Sequence, residues 1–478
     1  MTSDAIVVGA GPNGLAAAVA LAQRGLAVTV LEAADTIGGG TRTSELTLPG
    51  LLHDHCAAVH PMAVASPFLR SLGLERHGLE WRRPEIDLAH PLDDSPPAVL
   101  RRSLDRTASG LGADGTAWRR LFTPLSQRYD ALVADLMAPP FHLPQHPLPL
   151  AHFGLLAPRS ATAVAARWHS AQARALFAGV AAHALRPLTA PGSAAIGLML
   201  IAAGHRHGWP VAHGGSQAVT NALAARLTEL GGTVETGVRV RSLAELPPTR
   251  VTLLDVAPRA AIALCGARLP ARTRRAYARW THGPAAFKVD LAVEGGVPWR
   301  DEACRRAGTV HLGGTLEEIA HTEQMVARGR MPERPFVLVA QQHLADPVRS
   351  SGDIHPVWAY AHVPHGYTGD ATESVLAQLE RFAPGLRDRV LARATMSAQD
   401  LEAYNPNYIG GDILTGANTL PQMLLRPRAT PDPYRTGIPG VFLCSAATPP
   451  GPGVHGMSGY HAARSALRSL RLPRGETP

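Results

Sequence analysis

Two short apolar runs flank one helical pattern in the N-terminal part of the chain. Residues 5–8 and 27–31 are largely apolar, which is typical of strands buried on both faces of a parallel sheet. Between them, residues 15–23 are rich in alanine and leucine, and Gly25 follows, so this segment is predicted to be a helix that ends there. The order strand, helix, strand predicts a β-α-β unit with two parallel strands.

The turn between the first strand and the helix has the pattern Gly-x-Gly-x-x-Gly. Gly9 allows the tight turn, Gly11 lets the backbone approach a pyrophosphate, and Gly14 lets helix and strand pack closely. Pro12 and Asn13 lie at the helix start, where free N–H groups and the helix dipole attract phosphates. The turn therefore predicts a dinucleotide site that all five residues contact.

An acidic residue and a second glycine-rich loop follow the second strand. Glu32 lies at the strand end, about twenty residues beyond the glycines, where a carboxylate can accept hydrogen bonds from both ribose hydroxyls. The run Gly38, Gly39 and Gly40 offers bare backbone for a second approach to the cofactor. The combination favours a dinucleotide site over an unrelated glycine-rich turn, and it leaves NAD and FAD both open.

A second strand, turn and helix occur near the C-terminus. An apolar run after Gly440 leads into a turn rich in glycine and proline, and residues 458–470 are predicted to form a helix. A helix start beside bare glycine backbone can direct N–H groups at a polar ligand. The candidate cofactor contacts in this segment are Ser445, Ala446, Gly453, Val454, His455, Gly456 and Met457.

Composition and charge narrow the class of protein. The chain has 478 residues, 45% of them hydrophobic and 18% charged, which fits a globular enzyme of two domains. The net charge of +8 comes almost entirely from arginine, because Lys288 is the one lysine. No basic run with interleaved aromatic residues occurs, which argues against nucleic-acid binding. No signal peptide or membrane-spanning run is visible, so we expect a cytoplasmic protein, with peripheral contact at the inner membrane as an alternative.

The cysteines and histidines do not suggest a disulfide framework or a metal site. Cys56, Cys265, Cys304 and Cys444 are far apart and form no Cys-x-x-Cys pair, which argues against a redox-active dithiol. Three histidines cluster with Cys56 in residues 53–60, but their spacing matches no standard zinc pattern. We therefore expect no metal and interpret this segment as a loop that lines the cofactor.

Two of these segments resemble a known superfamily. Residues 32–39 are similar to the segment after the second strand in FAD-dependent amine oxidases and phytoene desaturases, and residues 440–457 resemble the C-terminal flavin motif of phytoene desaturases. Most members have arginine directly after the glycine pair, whereas this chain has Gly40 there and Arg42 two residues later. The resemblance implies FAD as the cofactor, with Arg42 as a contact and the backbone of Val238 at the adenine edge.

The resemblance also implies the fold. It predicts an α/β protein in which a discontinuous, Rossmann-like FAD-binding domain carries an inserted α+β substrate domain of the amine oxidase/phytoene desaturase type. The FAD-binding domain comprises residues 1–92, 205–262 and 405–478, and the substrate domain comprises residues 93–204 and 263–404. In the FAD-binding domain we expect a helix at 217–230, a strand at 233–240, and a strand at 250–255 that closes the sheet.

Three residues are candidates for catalysis. Lys288 follows Gly283 and Pro284 in an alternating strand, and in flavin amine oxidases a lysine at the matching place holds a water beside flavin N5. An ordinary strand lysine that reaches solvent is the alternative. His60 and His455 are added because both lie in segments expected beside the flavin.

The resulting hypothesis is an enzyme that transfers a hydride from a C–H bond of a lipophilic or secondary-metabolite substrate to flavin N5. Oxidation of an amine and a non-catalytic FAD-binding scaffold remain as alternatives. No second dinucleotide fingerprint follows, so oxygen or a quinone is the expected electron acceptor. For the helical residues 93–204 three roles stay open. They are expected to line a lipophilic tunnel, to rest on a membrane, or simply to pack against each other.

Overall fold

Two sheets and two short ribbons organise the fold. The computed structural model describes residues 3–470, and within that range the strands are β1 Ala5–Val8, β2 Val28–Leu31, β3 Thr43–Glu45, β4 Leu52–Asp54, β5 Trp81–Arg82, β6 Ile86–His90, β7 Ala98–Leu100, β8 Val211–Ala212, β9 Thr233–Glu235, β10 Val251–Leu254, β11 Ala285–Glu294, β12 Ala307–Leu312, β13 Val337–Ala340, β14 Ile354–Val363, β15 Val390–Met396 and β16 Val441–Leu443.

The helices connect these strands and form most of residues 104–207. They are α1 Pro12–Ala22, α2 Pro61–Ala65, α3 Pro67–Ser71, α4 Leu104–Gly110, α5 Gly115–Gln127, α6 Tyr129–Leu136, α7 Pro147–Leu156, α8 Ala161–Ala165, α9 Ala171–Ala181, α10 Ala194–His207, α11 Gln217–Glu229, α12 Pro258–Cys265, α13 Ala271–Ala278, α14 Glu302–Arg305, α15 Leu316–Ala327, α16 Thr372–Phe382, α17 Ala398–Tyr404, α18 Leu420–Leu424 and α19 Met457–Ser469. Among the described residues, no helix has both the length and the apolar character needed to cross a bilayer.

The five-stranded sheet is parallel and is covered on both faces. Its order is β16-β10-β1-β2-β9. Ala5 and Val7 of β1 belong to the core shared with α1, α11 and α19, whereas Ile6 and Val8 belong to the core shared with α12 and α13. Because alternate side chains enter different cores, β1 is apolar at every position, as the sequence predicted.

Two details of this sheet differ from the sequence analysis. The strand after α11 ends at Glu235 instead of continuing to 240, because Gly237 has a φ of +72° that breaks the extended backbone. The strand β10 does not close the sheet but lies inside it, between β1 and β16. Sequence patterns identify buried strands but not their order in the sheet.

The seven-stranded sheet has the order β15-β11-β14-β13-β12-β6-β7 and is antiparallel except for the pair β6 and β12. One face packs against α16 through Leu379 and Phe382. The opposite face packs against the helical segment and includes Leu338, Trp358 and Tyr360. These three residues line the cavity described below.

The membership of β6 changes one predicted domain boundary. From the sequence, the first segment of the FAD-binding domain is predicted to extend to residue 92. In the structure, however, β6 pairs with β12 of the seven-stranded sheet. The chain has therefore entered the seven-stranded sheet by Ile86. The sequence placed this boundary too late because the long-range partner of β6 is not visible in the local sequence. Residues 1–2 and 471–478 of the predicted segments lie outside the described residues.

The two ends of the chain meet where α1 packs on α19. A Cβ atom on Gly459 would overlap the carbonyl oxygen of Asn13, and a Cβ atom on Gly456 would lie 2.8 Å from Cβ of Ala16. Only glycine permits backbones to approach this closely. The contact joins the N-terminal glycine turn to the start of α19.

We expect Gly459→Ala to lower the free energy of unfolding by about 1–3 kcal/mol, because the added methyl group forces α1 and α19 apart. Gly154→Ala is the matched control, since Gly154 lies exposed in α7 with no atom within 4 Å of the added Cβ. The control is expected to be neutral or stabilising by up to about 1 kcal/mol. Urea unfolding followed by circular dichroism measures both, and equal effects would contradict the close packing.

Candidate active site

The carboxyl ends of the parallel strands lie side by side at one edge of the five-stranded sheet. The N–H of Gly9 donates to the Leu31 carbonyl, and the N–H of Asp255 donates to the Val8 carbonyl, both at 2.8 Å. The N–H of Cys444 donates to the Leu254 carbonyl at 2.9 Å. This edge is where α/β folds of this type bind ligands.

A cavity of about 760 Å³ begins at this edge and extends to the seven-stranded sheet. It is large enough to enclose a sizeable ligand. The sequence-predicted residues that line it are Gly9, Gly11, Pro12, Asn13, Glu32, Gly39, Gly40, Arg42, His60, Val238, Ser445, Ala446, Gly453 and Val454. The structure thus brings both ends of the chain to one cavity wall.

The glycine turns allow the backbone to form this wall. Gly9 has a φ of +107°, and a Cβ atom on Gly14 would overlap the Gly9 carbonyl oxygen. A Cβ atom on Gly39 would lie 3.1 Å from Cα of Gly11, so the two glycine loops touch through their backbones. Gly14 does not line the cavity, because its role is to let α1 pack against the end of β1.

Some buried polar atoms on this wall have no hydrogen-bond partner within the described chain, and two of them lie beside the glycine turns. They are Oδ1 of Asn13 and Oγ of Ser445, which are 6% and 5% exposed as residues. Such atoms are unfavourable unless a ligand or water bonds to them. A dinucleotide along the glycine turns would supply these partners, so the residues present fit that group.

Glu32 and Arg42 are held at the edge by a local network. The carboxylate of Glu32 accepts hydrogen bonds from the N–H groups of Ala10 and Ala34 at 2.7 and 3.0 Å. Arg42 lies 3.5 Å from Glu32 and donates to the Thr36 carbonyl at 2.8 Å. The arrangement orients the carboxylate while leaving lone pairs free for a ribose.

Two tyrosines that the sequence analysis did not single out complete the second glycine loop. The Tyr404 hydroxyl donates to the Gly39 carbonyl at 2.6 Å, and its ring lies under the Arg42 guanidinium. A Cβ atom on Gly40 would overlap the Tyr408 hydroxyl. Tyr408 therefore excludes a side chain at position 40, and Arg42 provides the positive charge of this loop instead.

Asp255 is a further functional candidate that the sequence analysis missed. It lines the cavity, and its carboxylate accepts a hydrogen bond from the N–H of Gly14 at 2.9 Å. Burial raises the pKa of Asp255 to about 7, against the effect of the Gly14 N–H, and the charge of Glu32 adds to the rise. An acid that directly follows a buried parallel strand is the signal that would have identified it.

His60 lies on the cavity wall, as expected. Its Nε2 atom is 2.7 Å from the Ser216 hydroxyl, and Nδ1 is buried without a partner in the described chain. Burial lowers the pKa of His60 to about 4, so the imidazole is neutral near pH 7. A neutral ring can hydrogen-bond a ligand without bringing charge into the cavity.

His455 and its neighbours Gly456 and Met457, which the sequence predicts as cofactor contacts, do not line the cavity. Nδ1 of His455 accepts a hydrogen bond from the Met457 N–H at 3.0 Å, and this contact holds the start of α19. Burial lowers the pKa of His455 to about 4. Gly38 also lies behind the wall, where its N–H donates to the Ala10 carbonyl at 2.9 Å. These residues position the wall instead of forming it.

Lys288 is likewise placed differently from the expectation. It is 2% exposed, lies behind the cavity, and forms a buried ion pair with Asp290. Asp290 lies 3.3 Å from Nδ1 of His53. The ammonium group is thus neither free nor in solvent, because a buried lysine needs its counter-ion.

A buried arginine joins the segment of residues 53–60 to the segment between β13 and β14. Arg349 is fully buried and bonds to Asp54 at 2.7 Å and to Asp346 at 3.0 Å. Although burial raises the pKa of Asp54, Arg349 and hydrogen bonds from Thr43 and Ser216 together lower it below its usual value. Asp54 therefore anchors the loop and does not face the cavity.

The histidines of this segment bond to different partners and do not converge on one point. Nε2 of His53 bonds to Thr47 at 2.8 Å, and Nε2 of His55 bonds to Ser44 at 2.7 Å. Among residues 3–470, no group of three or more metal-binding side chains is arranged to hold an ion. All four cysteines are free.

The far end of the cavity is formed by residues that the sequence did not reveal. The seven-stranded sheet contributes Thr309, Leu338, Trp358 and Tyr360, and the helical segment with the loop after it contributes His183, Leu200 and Trp209. Most of these side chains are apolar or aromatic, which suits the body of an organic substrate. Long-range strand pairing brings them together.

Comparisons with known proteins agree with this architecture. Residues 7–72 match the family described as NAD(P)-binding Rossmann-like domain. The chain is 24% identical to "Pyridine nucleotide-disulfide oxidoreductase domain-containing protein 2" of Rattus norvegicus, over 98% of this chain and 94% of that protein. It is 27% identical to phytoene dehydrogenase of Streptomyces griseus, over 98% and 96% of the two chains.

The fold is also similar to a solved structure. Putrescine oxidase bound to putrescine superposes with a TM-score of 0.63 and 19% identity, over 99% of this chain and 100% of the other. The helices and sheets described above therefore have the amine oxidase architecture.

We expect Asp255→Asn to stabilise the cofactor-free protein above neutral pH. The folded pKa of about 7 exceeds the ordinary value of 3.8, so wild-type stability falls as pH rises between these values. The neutral amide removes up to about 4 kcal/mol of this fall and still accepts the Gly14 N–H. Urea unfolding at about pH 5 and about pH 8 measures the difference.

Asp388→Asn is the control, because Asp388 is exposed. It should leave the pH dependence of unfolding unchanged. Identical pH profiles of wild type and Asp255→Asn would show that the carboxyl is not shifted.

Proposed function

Because the chain belongs to the phytoene desaturase-like superfamily of FAD-dependent oxidoreductases, related to the flavin amine oxidases, we propose that it is a desaturase or dehydrogenase acting on a C–H bond of a lipophilic or secondary-metabolite substrate. The observation that carries the proposal is the continuity of the cavity. One end is lined by the dinucleotide edge and the other by the aromatic and aliphatic residues of the substrate side.

FAD is the dinucleotide in this proposal. When bound, it supplies the acceptor for the hydride that leaves the substrate. Glu32 would bond the ribose, Asn13 and Ser445 would supply their unpartnered oxygens, and Val238 would lie at the adenine end. The bare backbone of the glycine turns supports this assignment, because it lets N–H groups approach a pyrophosphate.

The remaining residues orient the substrate and exclude water. Trp358 and Tyr360 pack edge to face with ring centroids 5.1 Å apart and cover the far end of the cavity. His60 offers a neutral hydrogen-bonding group between the two ends. Lys288 is not proposed to touch the substrate, since its ammonium is paired with Asp290 behind the wall.

Amine oxidation is the second candidate function. The aromatic pair Trp358 and Tyr360 favours it, because aromatic faces attract an amine, and a solved relative in fold is putrescine oxidase. We propose oxygen or a quinone as the electron acceptor in either case, because the chain carries one dinucleotide fingerprint.

We expect purified protein to contain FAD and its visible absorption to be lost when lipophilic metabolites are added without oxygen. Quinone or oxygen should restore the colour, and NAD should not. Bleaching by amines alone would favour amine oxidation, and no bleaching with FAD still bound would favour a non-catalytic scaffold.

Glu32→Ala should weaken FAD binding at least about tenfold, because the variant loses the carboxylate that would bond the ribose. Glu235→Ala is the control and should not weaken FAD binding, since Glu235 is an exposed acid on β9.

We also propose peripheral membrane contact through the segment between α6 and the end of α7. Phe141, Leu143, Leu148 and Leu155 are exposed there, with Leu143 90% and Leu155 74% exposed. Apolar side chains in this number on one surface segment mark an interaction site. The net charge of +8 would add attraction to anionic lipids.

The double variant Leu143→Glu/Leu155→Glu should reduce binding to vesicles of phosphatidylglycerol and phosphatidylethanolamine at least about tenfold, because two apolar side chains no longer enter the interface. Flotation in a density gradient measures bound protein. Leu391→Glu is the control, since Leu391 is exposed on β15. Equal flotation of wild type and double variant, or none at all, would refute the contact.

A further inference from the structure

The substrate end of the cavity carries no formal charge. We call the surface formed by His183, Leu200, Trp209, Thr309, Trp358 and Tyr360 the inner wall. Among the described residues that line the whole cavity, the charged ones are Glu32, Arg42, Arg239, Arg241 and Asp255. All five belong to the five-stranded sheet and its loops, so the charge is confined to the cofactor end.

This distribution opposes two ionised forms of substrate at the inner wall, so an amine or an acid would have to enter in its neutral form. An ammonium or a carboxylate group placed there would lose its hydration and find no counter-ion. A neutral substrate avoids this penalty.

The inner wall is nevertheless not purely apolar, because it includes His183. Nε2 of His183 lies 3.0 Å from Nε2 of His311, a residue that is fully buried on β12. Burial lowers the pKa of His183 to about 3 and that of His311 well below its usual value, so both rings are neutral. Two neutral rings joined in this way share one proton, so Nδ1 is the nitrogen of His183 that this contact leaves available, on a residue that lines the cavity.

The tautomer of the pair decides what Nδ1 of His183 offers. If His183 donates to His311, Nδ1 is an acceptor and suits a hydroxyl group. If His311 donates, Nδ1 carries the proton and suits a carbonyl group. Either form fits a neutral oxygen function.

Trp358 supplies a second, independent polar atom. Its side chain is 6% exposed, and its Nε1 has no hydrogen-bond partner within the described chain. A hydrocarbon substrate would leave this N–H and Nδ1 of His183 without partners, which is unfavourable for binding. An oxygen atom on the ligand would satisfy one or both.

We propose that the inner wall selects a neutral lipophile that bears a hydroxyl or carbonyl group, with this oxygen bonded to Nδ1 of His183. The inference rests on the proposed function, since it names the substrate class of the same cavity. His311 acts as a positioning residue, because it fixes the ring of His183 and its tautomer.

The test is a binding comparison with ligands of one body size: octyl alcohol, methyl hexyl ketone, octane, octylamine and octanoate. Isothermal titration calorimetry on the purified, FAD-containing protein measures each dissociation constant without turnover. The alcohol and the ketone should bind at least about tenfold more tightly than octane, because they satisfy buried polar groups. The amine and the acid should bind more weakly than the alcohol, with the gap narrowing only at pH values that neutralise them.

Variants at His183 assign the effect. His183→Phe should remove the preference for the alcohol over octane, because the alcohol loses its hydrogen-bond partner and octane no longer leaves Nδ1 without one. His183→Gln, whose amide donates and accepts, should retain part of the preference. His321→Phe is the control, because His321 is exposed on α15.

Three results would overturn the inference: octane binding as tightly as the alcohol, octylamine binding most tightly, or an unchanged preference in His183→Phe. Failure of the proposed function is distinguishable, because flavin content is measured first by visible absorption. Colourless protein that still prefers the alcohol would refute the function and keep the ligand class. Yellow protein without the preference would refute the ligand class alone.

Discussion

The close contact between α1 and α19 determines where the glycine turn before α1 and the loop before α19 lie, and therefore where the cavity forms. Gly459 lets the C-terminal helix rest on the backbone of Asn13, and Gly456 lets its first turn approach Ala16. Because the backbones touch, the loop before α19 is carried to the carboxyl ends of β1 and β10. Ser445 and Gly453 then face the N-terminal glycine turn across one cavity.

A buried arginine fixes the second sheet relative to this edge. Arg349 bonds to Asp54 and Asp346, and its second Nη bonds to the Ala212 carbonyl at 2.9 Å. Removing Asp54 or Asp346 would leave the buried charge of Arg349 without compensation, which is strongly destabilising. Arg349 joins Asp54 at the end of β4 to the segment between β13 and β14 and to β8.

The cavity has charged side chains at one end and neutral side chains at the other. Charged side chains such as Glu32 and Asp255 lie at the edge of the parallel sheet, where helix and strand ends offer backbone groups. Neutral groups, including His60 and His183, lie farther in, because burial without a counter-ion keeps an imidazole unprotonated. A charged end and an uncharged end therefore coexist in one continuous cavity.

The sequence by itself determined the elements whose signals are local. Gly9, Gly11 and Glu32 occur at fixed offsets from an apolar strand, so the strand, turn and helix at this edge were readable from the sequence, and the fold class followed from the resemblance. Only the tertiary structure decided which residues form the substrate end, the pairing of Lys288 with Asp290, and the displacement of His455 from the wall. These depend on strand order and on partners distant in the sequence, and burial, which sets both ion pairing and protonation, exists only once the chain has packed.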